Sequence, residues 1–148
     1  MSHHRCYNVR KYVECTREER VSLASIIQEI NVLSTNTRDK GVQWLIDELP
    51  RLGDSSVLGR GIALVVDGTD PQLAREILHT SCVFSQKTGV ELLRDIIAME
   101  GVLAIQSGNN PRIIEELLLS YVGEDAVEDV RKPLNEWWEK YRDSVTHK

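Results

Sequence analysis

The spacing of apolar and polar residues is helical along almost the whole chain. From Thr16 onward, apolar side chains recur at intervals of three and four residues, as on the buried face of an α-helix. Glycine, proline and short polar residues separate these segments, and Thr16 to Glu19 forms a capping-box sequence at the start of the first one. The pattern predicts an all-α protein, a bundle of six or seven helices with short connections.

Helix boundaries follow from the residues that start and stop helices. Pro133 is expected to kink or restart the last helix, because proline has no N–H to donate. The predicted starting points of the second to sixth helices are Asn36 or Thr37, Ser55 or Ser56, Pro71, the end of a turn at 85–89, and Pro111.

Two of these helices carry apolar faces that we expect to be buried. On the second helix the face comprises Val42, Leu45, Ile46 and Leu49. On the fourth it comprises Leu73, Ala74, Ile77, Leu78 and Val83. If the turn at 85–89 makes the fourth and fifth helices antiparallel, Ile77 should lie near Leu93 or Ile97.

One motif occurs twice, displaced by 40 residues, at 61–71 and 101–111. In each copy an apolar helix ends at a glycine that can adopt the left-handed conformation, Gly68 or Gly108. Asp70 or Asn110 then caps a helix whose first residue is proline. The motif predicts a repeated helix–corner–helix. The two copies can be taken as helical repeats, although a solenoid usually needs three or more.

Both copies resemble the flagellar motor stator A subunit, the MotA family. Residues 61–78 (GIALVVDGTDPQLAREIL) resemble the cytoplasmic segment before that family's third membrane span, and residues 99–121 (MEGVLAIQSGNNPRIIEELLLSY) the segment after its last span. Residues 37–45 fit the opening helix of the cytoplasmic domain more loosely. The resemblance, which covers roughly residues 22–122, implies a MotA-like cytoplasmic helical domain at 16–122, after a flexible N-terminus (1–15) and before a C-terminal helical extension (123–148).

The membrane spans of that family have no counterpart here. The longest unbroken apolar run, Ile62 to Val66, is far shorter than the ~20 residues that cross a bilayer as a helix. In the family, two spans precede the first matching segment and two more separate the segments. The resemblance therefore implies a non-conducting, soluble protein-interaction module rather than a channel.

Composition limits the classes of partner and the compartment. A chain of 148 residues with 41% hydrophobic content suits one domain with a sizeable core. A net charge of −5 disfavours nucleic acid and anionic membrane surfaces as partners. Cys6, Cys15 and Cys82 are odd in number and unpatterned, and no signal-peptide segment is visible, so a cytoplasmic location is expected.

No set of residues has the spacing of a catalytic, cofactor or metal site, so we predict no enzyme, no cofactor and no metal. The adjacent pairs Glu18-Glu19 and Glu115-Glu116 are expected on solvated faces rather than in acid–base catalysis, because adjacent residues on a helix cannot both face one pocket. Three alternatives stay open: Asp67 and Asp70 as metal ligands rather than caps, His3, His4 and Cys6 as a soft-metal site, and a nucleophilic couple of Cys82 with His79.

Two features are candidates for binding a protein partner. A charged strip follows the second predicted helix: Arg38, Asp39, Lys40, Asp47, Glu48, Arg51 and Asp54. It is a solvated face by default. The resemblance implies that Arg38 contacts the rotor switch protein, although Ile46 stands where the family has a partner glutamate and Asp47 or Glu48 would have to substitute.

The second feature is the pair Trp137 and Trp138, whose rings point about 100° apart on a helix, so that one can enter the core while the other reaches a partner. The predicted partner-binding residues are Arg38, Lys40, Asp47, Glu48, Trp137 and Trp138. The partner would be the rotor switch protein, another stator chain or a second copy of this chain. The alternative is a generic helical adaptor or regulator unrelated to motility.

Overall fold

A computed structural model describes residues 10–146. Within that range the chain forms no strand, and a single 3-10 turn (Arg10–Tyr12) and a short helix precede seven longer helices. The prediction of an all-α bundle is confirmed. The helices are α1 (Arg17–Val21), α2 (Ala24–Lys40), α3 (Val42–Leu52), α4 (Val57–Val66), α5 (Pro71–Val83), α6 (Gly89–Gln106), α7 (Pro111–Leu119) and α8 (Val127–Thr146).

Helix α6 occupies the centre of the bundle and packs against α2, α4, α5 and α7. Its C-terminal half is buried nearly all round, and Ile97 and Val102 are fully inaccessible. A side chain buried to that degree stabilises the fold by about 1.5–3 kcal/mol. Val130 and Leu134 of α8 belong to the same core, so the predicted C-terminal extension packs directly onto the rest of the bundle.

The repeated corner has the predicted geometry in both copies. Gly68 and Gly108 adopt φ values of +73° and +74°. In each copy the glycine amide donates to the carbonyl three residues back, and the next amide donates to the carbonyl five residues back. This is the Schellman arrangement, which satisfies the last carbonyls of a helix at a left-handed residue.

The caps that follow the corners are also as predicted. The Asp70 carboxylate accepts hydrogen bonds from the amides of Gln72 and Leu73, at 3.1 and 3.2 Å. The side-chain oxygen of Asn110 accepts from the amide of Arg112 at 2.8 Å. These bonds assign Asp70 a capping role, and within residues 10–146 no three His, Cys, Asp or Glu side chains cluster as metal ligands would.

The two helix–corner–helix units, α4–α5 and α6–α7, pack against their neighbouring helices in the same way. A Cβ atom on Gly61 would lie 2.9 Å from Cγ2 of Val102 on α6, and one on Gly101 would lie 2.8 Å from Cδ1 of Ile30 on α2. Each unit therefore uses a glycine, at equivalent positions of the repeat, to bring its first helix close to the next helix. The unit α4–α5 packs on α6, and the unit α6–α7 packs on α2.

The predicted start of the second helix is wrong. Helix α2 continues to Lys40 and ends at Gly41, so Asn36 and Thr37 lie inside it. Their side chains donate hydrogen bonds to carbonyls of the preceding turn, Asn36 to Val32 at 2.8 Å and Thr37 to Leu33 at 2.6 Å. Asparagine and threonine often cap helices, but here their side chains form hydrogen bonds inside a helix.

The predicted apolar faces of two helices are only partly buried. On α5, Ala74 and Leu78 enter the core, whereas Leu73, Ile77 and Val83 are exposed. On α3, Leu45 is buried and Leu49 is half-buried, whereas Val42 and Ile46 are exposed. Both helices lie at the surface of the bundle, and their neighbours bury fewer of their apolar residues than the sequence pattern predicts.

Two further boundaries can be compared with the sequence. The chain reverses at residues 84–88, between the packed helices α5 and α6, as predicted. Pro133 does not restart the last helix, because α8 continues through it from Val127 to Thr146. None of the helices between residues 10 and 146 combines the length and hydrophobicity that a membrane crossing requires.

Candidate protein-interaction groove

An open groove of about 280 Å³ lies where the end of α2, the start of α7 and the second half of α8 meet. We call it the α2–α7–α8 groove. Its lining combines two arginines with two aromatic side chains, and it comprises Thr35, Arg38, Asp39, Asn110, Pro111, Arg112, Trp138 and Tyr141.

Local structure explains why these residues converge. Arg38 and Asp39 occupy the last turn of α2, which stops at Gly41 with a φ of +86°. Arg112 lies in the first turn of α7, just after its proline. Trp138 and Tyr141 are three residues apart on α8, so both face the same side of that helix.

Three aromatic rings of α8 form one cluster beside the groove. Trp137 stacks on Tyr141 with ring centroids 5.4 Å apart and an interplanar angle of 9°. Trp138 meets both rings edge-on, at 4.8 Å from Trp137 and 5.8 Å from Tyr141. Trp138 is buried and Trp137 is half-buried, which agrees with the expectation that only one ring enters the core. Such contacts fix the orientation of the groove wall.

The two arginines differ in how they are held. The Arg112 guanidinium lies over the Trp138 ring, with Cζ 4.7 Å from the centroid, a cation–π contact. Arg38 is exposed at the rim of the groove and forms no ion pair or side-chain hydrogen bond within residues 10–146. A guanidinium without a carboxylate partner at the rim of a concave surface is available to an external anion.

Asp39 is not available in the same way. The Tyr141 hydroxyl donates a hydrogen bond to Oδ2 of Asp39 and so joins α8 to the end of α2. This bond, together with partial burial and the negative charge of Asp39, raises the pKa of Tyr141 to about 12, while the nearby Arg38 opposes the shift. Asp39 keeps its charge in this contact, so the lining of the groove carries two guanidinium groups and one carboxylate.

A buried carboxylate lies beneath the groove. Glu115 is only 3% exposed, and its Oε1 accepts hydrogen bonds from Nε1 of Trp138 at 3.0 Å and from Nδ2 of Asn31 at 3.2 Å. Its Oε2 lies 3.9 Å from the Arg112 guanidinium. Oδ1 of Asn31 is buried without a hydrogen-bond partner in the described part of the chain. Glu115 thus connects α2, α7 and α8 below the groove floor.

Only some of the partner-binding residues predicted from the sequence lie at the groove. Arg38 and Trp138 line the same groove, and Trp137 lies against it. Lys40, Asp47 and Glu48 do not line it. Asp47 accepts a hydrogen bond from Gln43 at 3.1 Å, and Glu48 pairs with Arg51 at 2.9 Å, as in a solvated helix face.

Sequence reasoning missed three residues of this region: Arg112, Glu115 and Tyr141. The expectation that Glu115 is solvated is wrong, because it lies between the buried Ile114 and Leu118 on the inner face of α7. The available signal was its helical position, since residues 114, 115 and 118 share one face.

The structure does not favour Cys82 and His79 as a nucleophilic couple, because the Cys82 thiol is not activated. Cys82 is buried, and this burial, with the nearby Asp95 carboxylate, raises the pKa of its thiol to about 11. The thiol is therefore protonated near neutral pH, whereas a nucleophilic cysteine needs a thiolate. The other candidate set, His3, His4 and Cys6, lies outside the described residues.

The sequence matches no protein-family model and no curated protein sequence.

Proposed function

We propose that this chain is a non-enzymatic, cytoplasmic protein-interaction module that binds its partner in the α2–α7–α8 groove. The observation that carries the proposal is the Arg38 guanidinium, which has no anionic partner within residues 10–146 and sits at the rim of a groove walled by Trp138 and Tyr141. Arginine, tryptophan and tyrosine are the residues most enriched at the energetic centres of protein interfaces.

The chemistry of the groove favours an acidic side chain on the partner. Arg38 and Arg112 supply two guanidinium groups, each able to bind a carboxylate through paired hydrogen bonds. The half-buried ring of Tyr141 can pack against the methylene groups of the same side chain. The chain as a whole carries a net charge of −5, so this groove is a local exception that can direct an acidic partner to one place.

The resemblance to the MotA family supplies a first class of partner. Under that hypothesis the groove engages the rotor switch protein or another stator chain, and the module contributes no ion conduction. The alternative is a generic helical adaptor unrelated to motility. One observation favours it: Ile46, at the position of the family's partner glutamate, is exposed and apolar, so a reciprocal charge contact is missing there.

The test begins with capture of the partner from the native cell and continues with the purified pair. Arg38→Glu and Arg112→Glu should each weaken binding by tenfold or more, because each places a carboxylate against the partner's acidic group. Binding should also weaken between 50 and 150 mM salt, as expected for exposed charges. The melting temperature of each variant, and Arg112→Gln as a milder change, separate lost binding from lost folding.

Two outcomes would redirect the proposal. If Lys40→Glu and Asp47→Lys weaken binding while Arg112→Glu does not, the partner uses the charged strip and not the groove. A partner whose affinity is unaffected by salt and by the four charge reversals, at Arg38, Lys40, Asp47 and Arg112, would contradict an electrostatic site on this protein. The identity of the captured partner, motor component or other protein, separates the stator hypothesis from the generic adaptor.

A further inference from the structure

A second cleft, of about 380 Å³, lies at the opposite end of α4 from the repeated corner, and we call it the α4–α5 cleft. It shares no residue with the α2–α7–α8 groove. Its walls come from the start of α4, the end of α5, the turn at 84–88 and the first turns of α6, and comprise Ser55, Val57, Arg60, Ser81, Phe84, Ser85, Lys87 and Asp95.

Arg60 carries a positive charge that nothing in the described chain neutralises. Its guanidinium donates to the Ser81 hydroxyl at 2.5 Å and forms no ion pair within residues 10–146. It also lies near the N-terminal end of α4, which carries partial positive charge and has no acidic residue in its first turn. The protein thus places a cation where the backbone itself favours an anion.

The remaining charges of the cleft leave this excess in place. Lys87 pairs with Asp95 at 3.0 Å, and Asp95 is the one carboxylate among the lining residues. The Ser81 hydroxyl accepts from Arg60 and has no acceptor for its own proton within residues 10–146, whereas the Ser85 hydroxyl already donates to the Cys82 carbonyl at 2.9 Å. Two cations therefore face one carboxylate, and the cleft has the donors that a phosphate oxygen accepts from.

An aromatic ring stands at the rim. Phe84 is 78% exposed, the most exposed of the large hydrophobic side chains in the described range. The turn that presents it contains Gln86 at φ +65°, a conformation uncommon for a residue other than glycine. An exposed ring beside a cationic cleft can cover a planar group attached to a bound anion.

We propose that the α4–α5 cleft binds a phosphate group, with Arg60 as its principal ligand. The phosphate can be free, or can be the monoester of a molecule whose planar ring rests on Phe84. The cleft volume accommodates either one, so the two sources are separated by the choice of probe.

The experiment titrates the isotope-labelled protein with inorganic phosphate, adenosine monophosphate and adenosine, and follows backbone amide shifts by NMR. Phosphate and the monophosphate should shift amides of the cleft, near Arg60, Ser81 and Lys87. Tighter binding of the monophosphate than of phosphate indicates a monoester ligand, and equal binding indicates free phosphate. Adenosine alone should bind at least tenfold more weakly than the monophosphate.

Variants then test the assigned roles. Arg60→Gln should weaken phosphate and monophosphate binding by tenfold or more, while Phe84→Ala should weaken only the monophosphate. Arg142→Gln, which removes an exposed arginine far along α8, is the matched control and should leave both affinities unchanged. Melting temperatures confirm that each variant folds.

Three results would overturn the inference. The first is adenosine binding as tightly as its monophosphate. The second is an absence of shifts in the cleft with either phosphate probe. The third is an equal loss of binding in Arg60→Gln and Arg142→Gln, which would indicate only general attraction to positive charge.

Discussion

Removing the carboxylate of Glu115 should destabilise the protein far more than removing that of its neighbour Glu116. Glu115 is 3% exposed and accepts hydrogen bonds from the Trp138 indole and the Asn31 amide. In Glu115→Ala both donors remain buried without this acceptor. Glu116 lies on the outer face of the same helix and pairs with Arg131 at 2.7 Å.

The magnitude follows from those two donors. A buried donor left without an acceptor costs about 1–3 kcal/mol. Part of this cost is offset because the variant no longer buries a charge. We therefore expect Glu115→Ala to lower the free energy of unfolding by about 3 kcal/mol, equivalent to a fall in melting temperature of roughly 6–12 °C for a domain of this size. Glu116→Ala should lose less than about 1 kcal/mol, as for other exposed ion pairs.

Urea denaturation followed by circular dichroism measures these differences. Glu115→Gln is the informative third variant, because its amide oxygen can still accept from Trp138. Its amide nitrogen can also donate to Oδ1 of Asn31, which has no partner in the described chain. We expect Glu115→Gln to remain within about 1 kcal/mol of the unmodified protein. The reasoning fails if Glu115→Ala is no more destabilising than Glu116→Ala. A loss in Glu115→Gln equal to that in Glu115→Ala would show that the charge, and not the acceptor, matters.

Two further predictions concern packing and pH. Gly59→Ala should lower the free energy of unfolding, measured by heat or urea, by at least about 2 kcal/mol. The new Cβ would lie 2.1 Å from the Gly53 carbonyl oxygen, and this clash outweighs the preference of helices for alanine, which is about 1 kcal/mol. A stabilised variant would contradict this contact. Hydrogen bonding from Arg20 lowers the pKa of Asp125 below its ordinary value of 3.8. The pair therefore stabilises the fold above pH 3.8, and this stabilisation is lost as the pH falls through the lower pKa that Asp125 has in the folded state. Asp125→Asn should accordingly flatten the acid side of a stability–pH curve measured from pH 6 to 2, and an unchanged acid slope would show that the pair contributes nothing.

The fold was predictable where a local rule acts alone. A glycine that needs positive φ, an Asp or Asn cap and a proline at the first helical position each act over a few residues, so Gly68, Asp70 and Pro71 specify one corner and their repeats specify the other. Asn36 and Thr37 show where such rules fail. Both residues can cap a helix, but both can also bond to the preceding turn, and the packing of α2 on four neighbouring helices selects the second option.

The site was predictable only in part, because it is assembled from helices far apart in sequence. Arg38 and Trp138 are separate candidates in the sequence, and nothing local shows that they share a groove. The sequence favours a solvated Glu115, because adjacent glutamates on a helix cannot both face one pocket. Its burial depends on donors from α2 and α8, which only the tertiary structure brings within reach.

The seating of each corner unit on its neighbour also bears on the order in which the chain folds. The contacts among α4, α5, α6 and α7 join helices that are consecutive or nearly so, and contacts of that kind form quickly because they close short loops. Helix α2 is the exception, since its contacts with α6, α7 and α8 join residues far apart in the sequence, among them the contact between Ile30 and Gly101. Because such contacts close long loops, we expect the packing of α2 on these helices to form late in folding, and the same packing completes the groove that the last turn of α2 lines.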